Sequence, residues 1–501
     1  MFFRKQSPPA SWTAEKKKNC YDNSKISKDQ SPSVTFFITN TLNNNPRLKY
    51  IVFVILFLLA WFLLLSFRFP LTKNDNKILH PVEILTKNDN RFLRKQAELP
   101  WVQTCQNGNL SIYVYDLPPE FNIALLQRCR KLNVYTDMCP HVANRGLGRP
   151  ITPLGSSSAP STSTRPSWYA THQFIAEMIF HARVENHACR TWDPERATIF
   201  YVPFYGGLDA SSKFRETNLT ERDALSVQLV DFLQEKPWWK RNHGKDHFLA
   251  LGRTAWDFMR NTKGNDFGAN CLLNLPAVKN MTVLTVERQP WQGSNQHGIP
   301  YPSYFHPSTW QEVLTWQEKV RNSKRPHLFS FIGGPRKGLE KAAIRDELIT
   351  QCAGSTRCEL LKCGSKCHDP AHVIGVMSRS VFCLQAPGDS FTRRSTFDSV
   401  LAGCIPVFFS QHTAYSQYRW FLPEDTSEYS VFFDEKSEDS RRIEEELAKI
   451  PGERVERMRE KVIGLIPRLT YTHPNATGTG FEDAVDVALA ALANHVQFKL
   501  A

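Results

Sequence analysis

The chain has 501 residues, 41% of them apolar and 22% charged, so it can bury a sizeable core and is too apolar for wholesale disorder. At about 150 residues per domain the length allows two or three domains, and collagen, coiled-coil and mucin-like compositions are excluded. The formal charge of +13 allows nucleic acid, an anionic membrane face or an anionic small ligand as a partner.

Residues 1–49 are polar and Asn/Ser-rich, with nine Lys and Arg against Glu15, Asp22 and Asp29. Such a composition predicts a disordered tail. Residues 50–67 read YIVFVILFLLAWFLLLSF, 18 residues without a charge or a proline, just long enough to span a hydrocarbon core as a helix. A core helix would show a polar face, and this run shows none. A cleaved signal peptide would not stand behind 49 preceding residues. Arg47 and Lys49 abut the run, and the positive-inside rule puts the tail in the cytosol. The reading is a single-pass, type II membrane protein with everything from Arg68 onward lumenal. Nucleic acid then drops out as a partner. Four N-x-[ST] glycosylation acceptors, Asn109, Asn218, Asn280 and Asn475, all fall on the lumenal side. A span this short suits thin early-secretory membranes, which points to the Golgi.

Residues 68–104 read as a stem containing LTKNDN twice. Beyond it, short β-branched or aromatic runs at 110–115, 198–203, 247–251, 283–286, 328–332, 381–384, 405–409 and 431–433 predict strands. Helical stretches at 171–184, 221–234, 338–351, 371–379, 395–402, 440–449 and 481–496 alternate with them. That alternation predicts an α/β protein with parallel sheets covered by helices, interrupted by a Ser/Pro/Thr loop at about 143–167. Two such units fit, 105–325 and 326–470, with 471–501 a last helix packing back on the first. Eleven of the 12 cysteines follow the apolar run. An odd number leaves room for a free thiol or a disulfide-linked dimer. Cys352, Cys358, Cys363 and Cys367 lack paired CxxC spacing, which favours local disulfides over zinc.

The densest chemistry lies at 388–409, GDSFTRRSTFDSVLAGCIPVFF. It reads as a turn between a strand and a helix, then a second strand, with Arg393 and Arg394 at the start of the helix. A helix N-terminus plus two guanidinium groups suits a diphosphate. Asp398, one turn further in, can accept hydrogen bonds from ribose or sugar hydroxyls. Two plainer readings stay open: Ser395-x-x-Asp398 is also a capping box, and the arginines can be surface charges.

This segment, with IYVYDLPPEFN at 112–122, WYATHQF at 168–174, ATIFYVPFYGGLD at 197–209, GKDHFLALGRTAWDF at 244–258 and VERQPW…GIPYPSYFHP at 286–307, resembles the exostosin-family glycosyltransferases (family 47), in particular the plant xyloglucan galactosyltransferases. The likeness covers nearly all of 105–470, in order. It implies a GT-B fold, with two Rossmann-like domains facing across a cleft. It also implies a Golgi type II protein, a UDP-galactose donor, inversion at the anomeric carbon and a xyloglucan acceptor bound by the first domain. Ser390, Thr392, Arg393, Arg394, Ser395 and Asp398 then form the candidate donor site, with Arg253 facing it across the cleft. No D-x-D follows the apolar run, so no metal or other cofactor is expected. An inverting transfer needs a general base. Glu287, just past a predicted strand end, is favoured, followed by Asp209 and His247. Against these stand pairing of Glu287 with Arg253 or Arg288, and a core position for His247. Trp291, in the loop after Glu287, is the aromatic best placed to stack on a sugar. Alternatives are a galacturonosyltransferase using UDP-galacturonic acid, and a non-catalytic membrane-anchored partner subunit. An oligomer with other Golgi glycosyltransferases also remains open.

Overall fold

The computed structural model describes residues 105, 110–152, 166–260, 268–291, 293–363, 367, 369–476 and 478–500. The basic tail, the apolar run 50–67, the stem, Asn109 and most of the Ser/Pro/Thr loop lie outside these residues. Among the described residues no helix is long and apolar enough to cross a membrane.

Arg94–Ala501 is one compact unit built on two wholly parallel sheets. The first runs β2-β1-β3-β4-β5-β6: β1 is Ile112–Val114, β2 Arg190–Thr191, β3 Ile199–Val202, β4 His247–Thr254, β5 Thr282–Glu287 and β6 Gln296–Gly298. The second runs β11-β10-β9-β7-β8, with β7 His327–Gly333, β8 Cys358–Lys362, β9 Ser380–Gln385, β10 Ile405–Phe408 and β11 Val431–Phe432. The central strands are apolar because helices cover both faces; every residue of β3 and β5 is buried. In each sheet the strand order reverses beside the first strand, at β1/β3 and at β7/β9. Parallel sheets of this kind bind ligands outside the carboxyl ends of the strands at such a reversal.

All eight expected strands are present. The three that sequence missed are β2, β6 and β8, which are short or polar. Two long helices were also missed, Trp310–Arg321 and Gly452–Leu469, along with short ones such as Gly206–Ser212 and Pro237–Asn242. The first long one starts at a capping box between Thr309 and Glu312. The second carries Gly464 and Pro467 near its end, residues that read as helix breakers.

Ten cysteines pair as Cys105–Cys189, Cys129–Cys139, Cys352–Cys358, Cys363–Cys367 and Cys383–Cys404. The Cys352–Cys367 cluster is therefore a pair of local disulfides, as its spacing suggested. Cys383–Cys404 joins β9 to the residue before β10 and closes the segment that carries GDSFTRRS. A loop of that size stabilises by about 3 kcal/mol in the chain-entropy picture.

The last helix, Ala484–Leu500, is tied to helix Ala176–Glu185 through buried charges. Asp483 caps it by accepting from the Val485 and Asp486 amides. Its other oxygen takes the Arg183 Nε at 2.9 Å and the Thr472 amide and hydroxyl. Burial pushes the Asp483 carboxyl up, but Arg183 and the Thr472 donors outweigh it and hold the group below the usual carboxylate range. A depressed carboxylate stabilises above its unfolded pKa, and the contribution fades as pH falls below it. Asp483→Asn leaves Arg183 with only Asp486, at 3.6 Å, and is expected to cost about 1.5–3 kcal/mol at neutral pH, the worth of a charged hydrogen bond. Denaturant unfolding across pH should show the gap from the native chain closing below about pH 4.

Candidate active site

The reversal point of the second sheet is lined by glycine and arginine. Gly333 ends β7 and Gly388 lies in the loop after β9. A Cβ on Gly333 would sit 2.1 Å from Nη2 of Arg345, and one on Gly388 would sit 2.4 Å from Nη1 of Arg393. Guanidinium groups thus fill the space that side chains would take. Arg345 reaches there from helix Ile344–Gly354. Its Nε donates to the Gly334 carbonyl at 2.7 Å, while Nη2 is buried without a partner. The Arg393 guanidinium makes no hydrogen bond and no ion pair among the described residues. Arg336 completes the group, paired at 3.1 Å with the exposed Asp389. Burial, then the charges of Arg393 and Arg336, pushes Arg345 down to about 9. Burial and Arg336 lower Arg393 as well. Three cations facing one exposed carboxylate make a site short of negative charge. A diphosphate would supply it in a form that guanidinium groups bind well.

The two adjacent arginines part company. Arg394 turns toward the first sheet, where Nη1 donates to the Thr171 carbonyl at 3.1 Å and Nη2 bonds the Tyr304 hydroxyl. Its Nε lies 3.3 Å from Asp398. The other oxygen of Asp398 accepts from Ser303 at 2.6 Å. Arg394 and Asp398 therefore join the sheets rather than face a ligand. The capping-box reading also fails: helix Arg394–Leu401 starts after Arg393 with no side-chain cap. Ser395 instead donates to Gln385 at 2.6 Å. Ser390, in the loop itself, donates weakly to the Thr392 carbonyl at 3.3 Å.

Glu287 is fully buried at the carboxyl end of β5. It pairs with neither Arg253 nor Arg288. Its Oε1 accepts from Trp256 Nε1 at 2.9 Å, and Oε2 accepts from the Thr392 amide at 2.8 Å and hydroxyl at 2.5 Å. It thus touches both the 388–393 loop and the edge of the first sheet. Just outside, the 64%-exposed Trp291 meets Trp256, Phe391 and His412, with ring centres 6.2, 5.7 and 5.3 Å away. Two of these rings come from each sheet. Arg253 points back into its own sheet, bonding Asp257 at 2.7 Å and Ser211 at 2.9 Å between the Phe174 and Phe214 rings.

The other carboxylates and the histidine sit elsewhere. Asp209, on helix Gly206–Ser212, is buried and paired at 2.8 Å with Lys213; its second oxygen has no partner and burial raises it. Lys213 lines a cavity of about 220 Å³ with Glu120, Arg128 and Gln228. His247 opens β4 at its amino end, about 20 Å along the strands from Glu287. There it is clamped between Tyr115 and Asp246, each at 2.7 Å, and stacked on Phe200. That is a core position, and it corrects the catalytic expectation for His247. Among the described residues one grouping could hold a metal, Cys105, His187 and Cys189, but its sulfurs form a disulfide. Asn218, Asn280 and Asn475 are exposed, although Asn218 also caps helix Leu219–Glu235.

Sequence reasoning missed Arg336 and Arg345. The strand-then-Gly333-Gly334 pattern marks a tight turn at a strand end and could have drawn attention to them. It also missed Glu177, which no motif announces. Glu177 is fully buried, and its carboxylate accepts the Gly207, Leu208 and Gly252 amides. Burial outweighs those donors and raises it to about 7.

Residues 106–447 match the Exostosin GT47 domain. The chain is 64% identical over 404 residues to "Probable xyloglucan galactosyltransferase GT17" of Arabidopsis thaliana, covering 80% of this chain and 85% of that protein. It is 45% identical over 394 residues to "Xyloglucan galactosyltransferase MUR3" of the same plant, covering 78% and 62%. With "Xyloglucan galactosyltransferase XLT2", also from Arabidopsis, it shares 42% over 395 residues, covering 77% and 74%.

The geometry separates the two arginines experimentally. Arg393→Gln should weaken binding of a nucleoside diphosphate by about 10- to 100-fold, the worth of one charged hydrogen bond, and leave the unfolding midpoint unchanged. Arg394→Gln should lower the midpoint, because it strands Asp398. Calorimetry with UDP and a thermal melt check both.

Proposed function

The chain belongs to the Exostosin GT47 family, and from that premise we propose that it transfers galactose from UDP-galactose, with inversion, to xylose side chains of xyloglucan. The observation that carries this reading is the uncompensated Arg336, Arg345 and Arg393 cluster at the reversal point of the second sheet, next to Glu287. The relatives' names support galactose as the sugar and xyloglucan as the acceptor. Two parallel sheets meeting at their carboxyl ends fit the GT-B arrangement that the resemblance implies.

In this reading the arginine cluster holds the diphosphate and stabilises the charge that grows on it as the bond to the sugar breaks. No metal is needed for that task. An acceptor hydroxyl oxygen attacks the galactose anomeric carbon from the face opposite UDP. The C–O bond to UDP breaks, UDP leaves with its electron pair, and Glu287 takes the hydroxyl proton. A carboxylate has about four lone-pair sites, and three are occupied, so one is open to the acceptor. Because Glu287 is buried under Thr392, the acceptor reaches it only when the 388–393 loop shifts. Trp291 and its neighbouring rings offer the acceptor sugars a face to stack on. The 18-residue apolar run, the one-sided basic flank and the disulfides among the described residues support a Golgi membrane protein with its catalytic part in the lumen.

The full chain in detergent, given a galactose-free xyloglucan oligosaccharide and UDP-galactose, is expected to add a hexose by mass spectrometry, with EDTA present or absent. A uronic-acid gain from UDP-galacturonic acid instead would change the donor and keep the mechanism. No gain from either donor, with no UDP binding, would overturn the reading in favour of a partner subunit. Glu287→Gln should cut kcat by at least about 100-fold, the usual worth of a general base, while leaving UDP affinity intact. Trp291→Ala should raise KM for the oligosaccharide by about 2- to 10-fold, in line with about 0.5–1.5 kcal/mol for one lost aromatic contact, and leave KM for the donor unchanged.

A further inference from the structure

Arg288 follows Glu287 in sequence, but its side chain goes elsewhere. It lines a cavity of about 290 Å³ with Gln296, His297, Gln417, Arg419 and Trp420. None of the arginines at the 333/388 reversal point lines it, nor do Glu287 and Thr392. Its lining holds two guanidinium groups and no carboxylate.

The polar groups of this cavity are poorly satisfied. Nε of Arg288 and Nε2 of His297 are buried without a hydrogen-bond partner. The terminal nitrogens of Arg288 make only long contacts, 3.3 Å to the Ser416 carbonyl and 3.4 Å to the Gly293 carbonyl. No ion pair to Arg288 or Arg419 occurs among the described residues. Gln417 is fixed in place by accepting from the Arg288 amide at 2.8 Å and donating to its carbonyl at 3.1 Å. His297 stacks on Trp420, ring centres 4.1 Å apart, and meets His495 at 4.6 Å. Burial, His495, Arg288 and Lys499 together push His297 down to about 3, so it stays neutral and Nε2 can carry a proton to donate. Burial and Arg419 lower Arg288 in turn.

Buried donors without acceptors and like charges without a counter-charge are both costly. Both costs are relieved by a ligand that brings acceptor oxygens and negative charge. We propose that this cavity is a second ligand site, binding a small molecule with a phosphoryl or carboxylate group through Arg288, Arg419 and His297. The volume is at the lower end of small-molecule pockets, room for the oxyanion with a single sugar-sized body. The site stands whether or not the transfer reaction proposed above is correct.

The test is the thermal unfolding midpoint of the full chain in detergent, at constant ionic strength, with rising inorganic phosphate, galacturonate or neutral galactose. A ligand that binds only the folded state raises the midpoint saturably. The expected result is a saturable rise with phosphate or galacturonate and none with galactose; which anion acts more strongly identifies the source. Arg419 is exposed, so Arg419→Gln should fold normally and weaken the response by about 10-fold, as loss of one charged hydrogen bond would. In the Arg393→Gln background, where the cleft cluster is weakened, Arg288→Gln combined with Arg419→Gln should abolish it. Arg393→Gln should retain it, which separates this site from the cleft. The proposal is overturned if neither anion gives a saturable shift up to about 10 mM, ten times a weak millimolar Kd. It is equally overturned if Arg393→Gln removes the shift while Arg419→Gln keeps it.

Discussion

A buried charge must find a partner or a ligand, and that constraint organises the junction between the two sheets. Glu287 ends β5 of the first sheet and is satisfied by Thr392 of the second. Arg394 and Asp398 belong to the second and are satisfied by Thr171, Tyr304 and Ser303 from the chain around the first. Tyr418 donates across the same junction to the Val286 carbonyl at 2.7 Å. Each of these groups would cost more unpaired than its bond returns, so together they fix how the carboxyl edges meet. Against that background Arg345 and Arg393 stand out. Their charge is not compensated within the protein, and of the uncompensated arginines they are the ones that lie where the strand order of the second sheet reverses. Fold topology and electrostatics therefore indicate one place by independent routes.

Much of the fold could be read beforehand because parallel strands covered on both faces are nearly continuous apolar runs. The strands at 199–202, 282–287 and 405–408 announce themselves in this way. β2 and β6 do not, because two- and three-residue edge strands leave no period to detect. β8, CELLK, is hidden in the cysteine cluster. Helix Trp310–Arg321 was legible in principle through Thr309-x-x-Glu312, the same pattern that misled at Ser395-x-x-Asp398. A capping box is defined by backbone geometry at its first residue. At Ser395 the helix has already begun, so the two side chains take tertiary partners instead.

The candidate site was legible as a segment and not as a set of contacts. GDSFTRRSTFDS marks the loop, yet nothing in Arg393-Arg394 says that one faces a vacancy in charge and the other crosses to Tyr304. Arg393 is extended and Arg394 is the first helical residue, so their side chains part, but where each one ends up depends on partners more than 80 residues away in sequence. Arg345 illustrates the same limit: it lies on a different helix from the motif and joins the cluster only because Gly333 leaves room for it.

The pair Glu287-Arg288 carries this argument furthest. Successive residues at a strand end point to opposite sides. The carboxylate goes to Thr392 and the guanidinium to the cavity beside Trp420. Between the same two residues and Gln296 the loop is stitched by Gln289, whose amide donates to Gln296 at 3.0 Å and whose side chain accepts from the Trp291 amide at 2.6 Å. Trp291 therefore stands on a loop whose root is shared by the cleft and by the basic cavity. An oxyanion bound to Arg288 would tighten that root. Because coupling between sites is reciprocal, an acceptor stacked on Trp291 would in turn strengthen oxyanion binding, by a factor that calorimetry on the two ligands together measures directly.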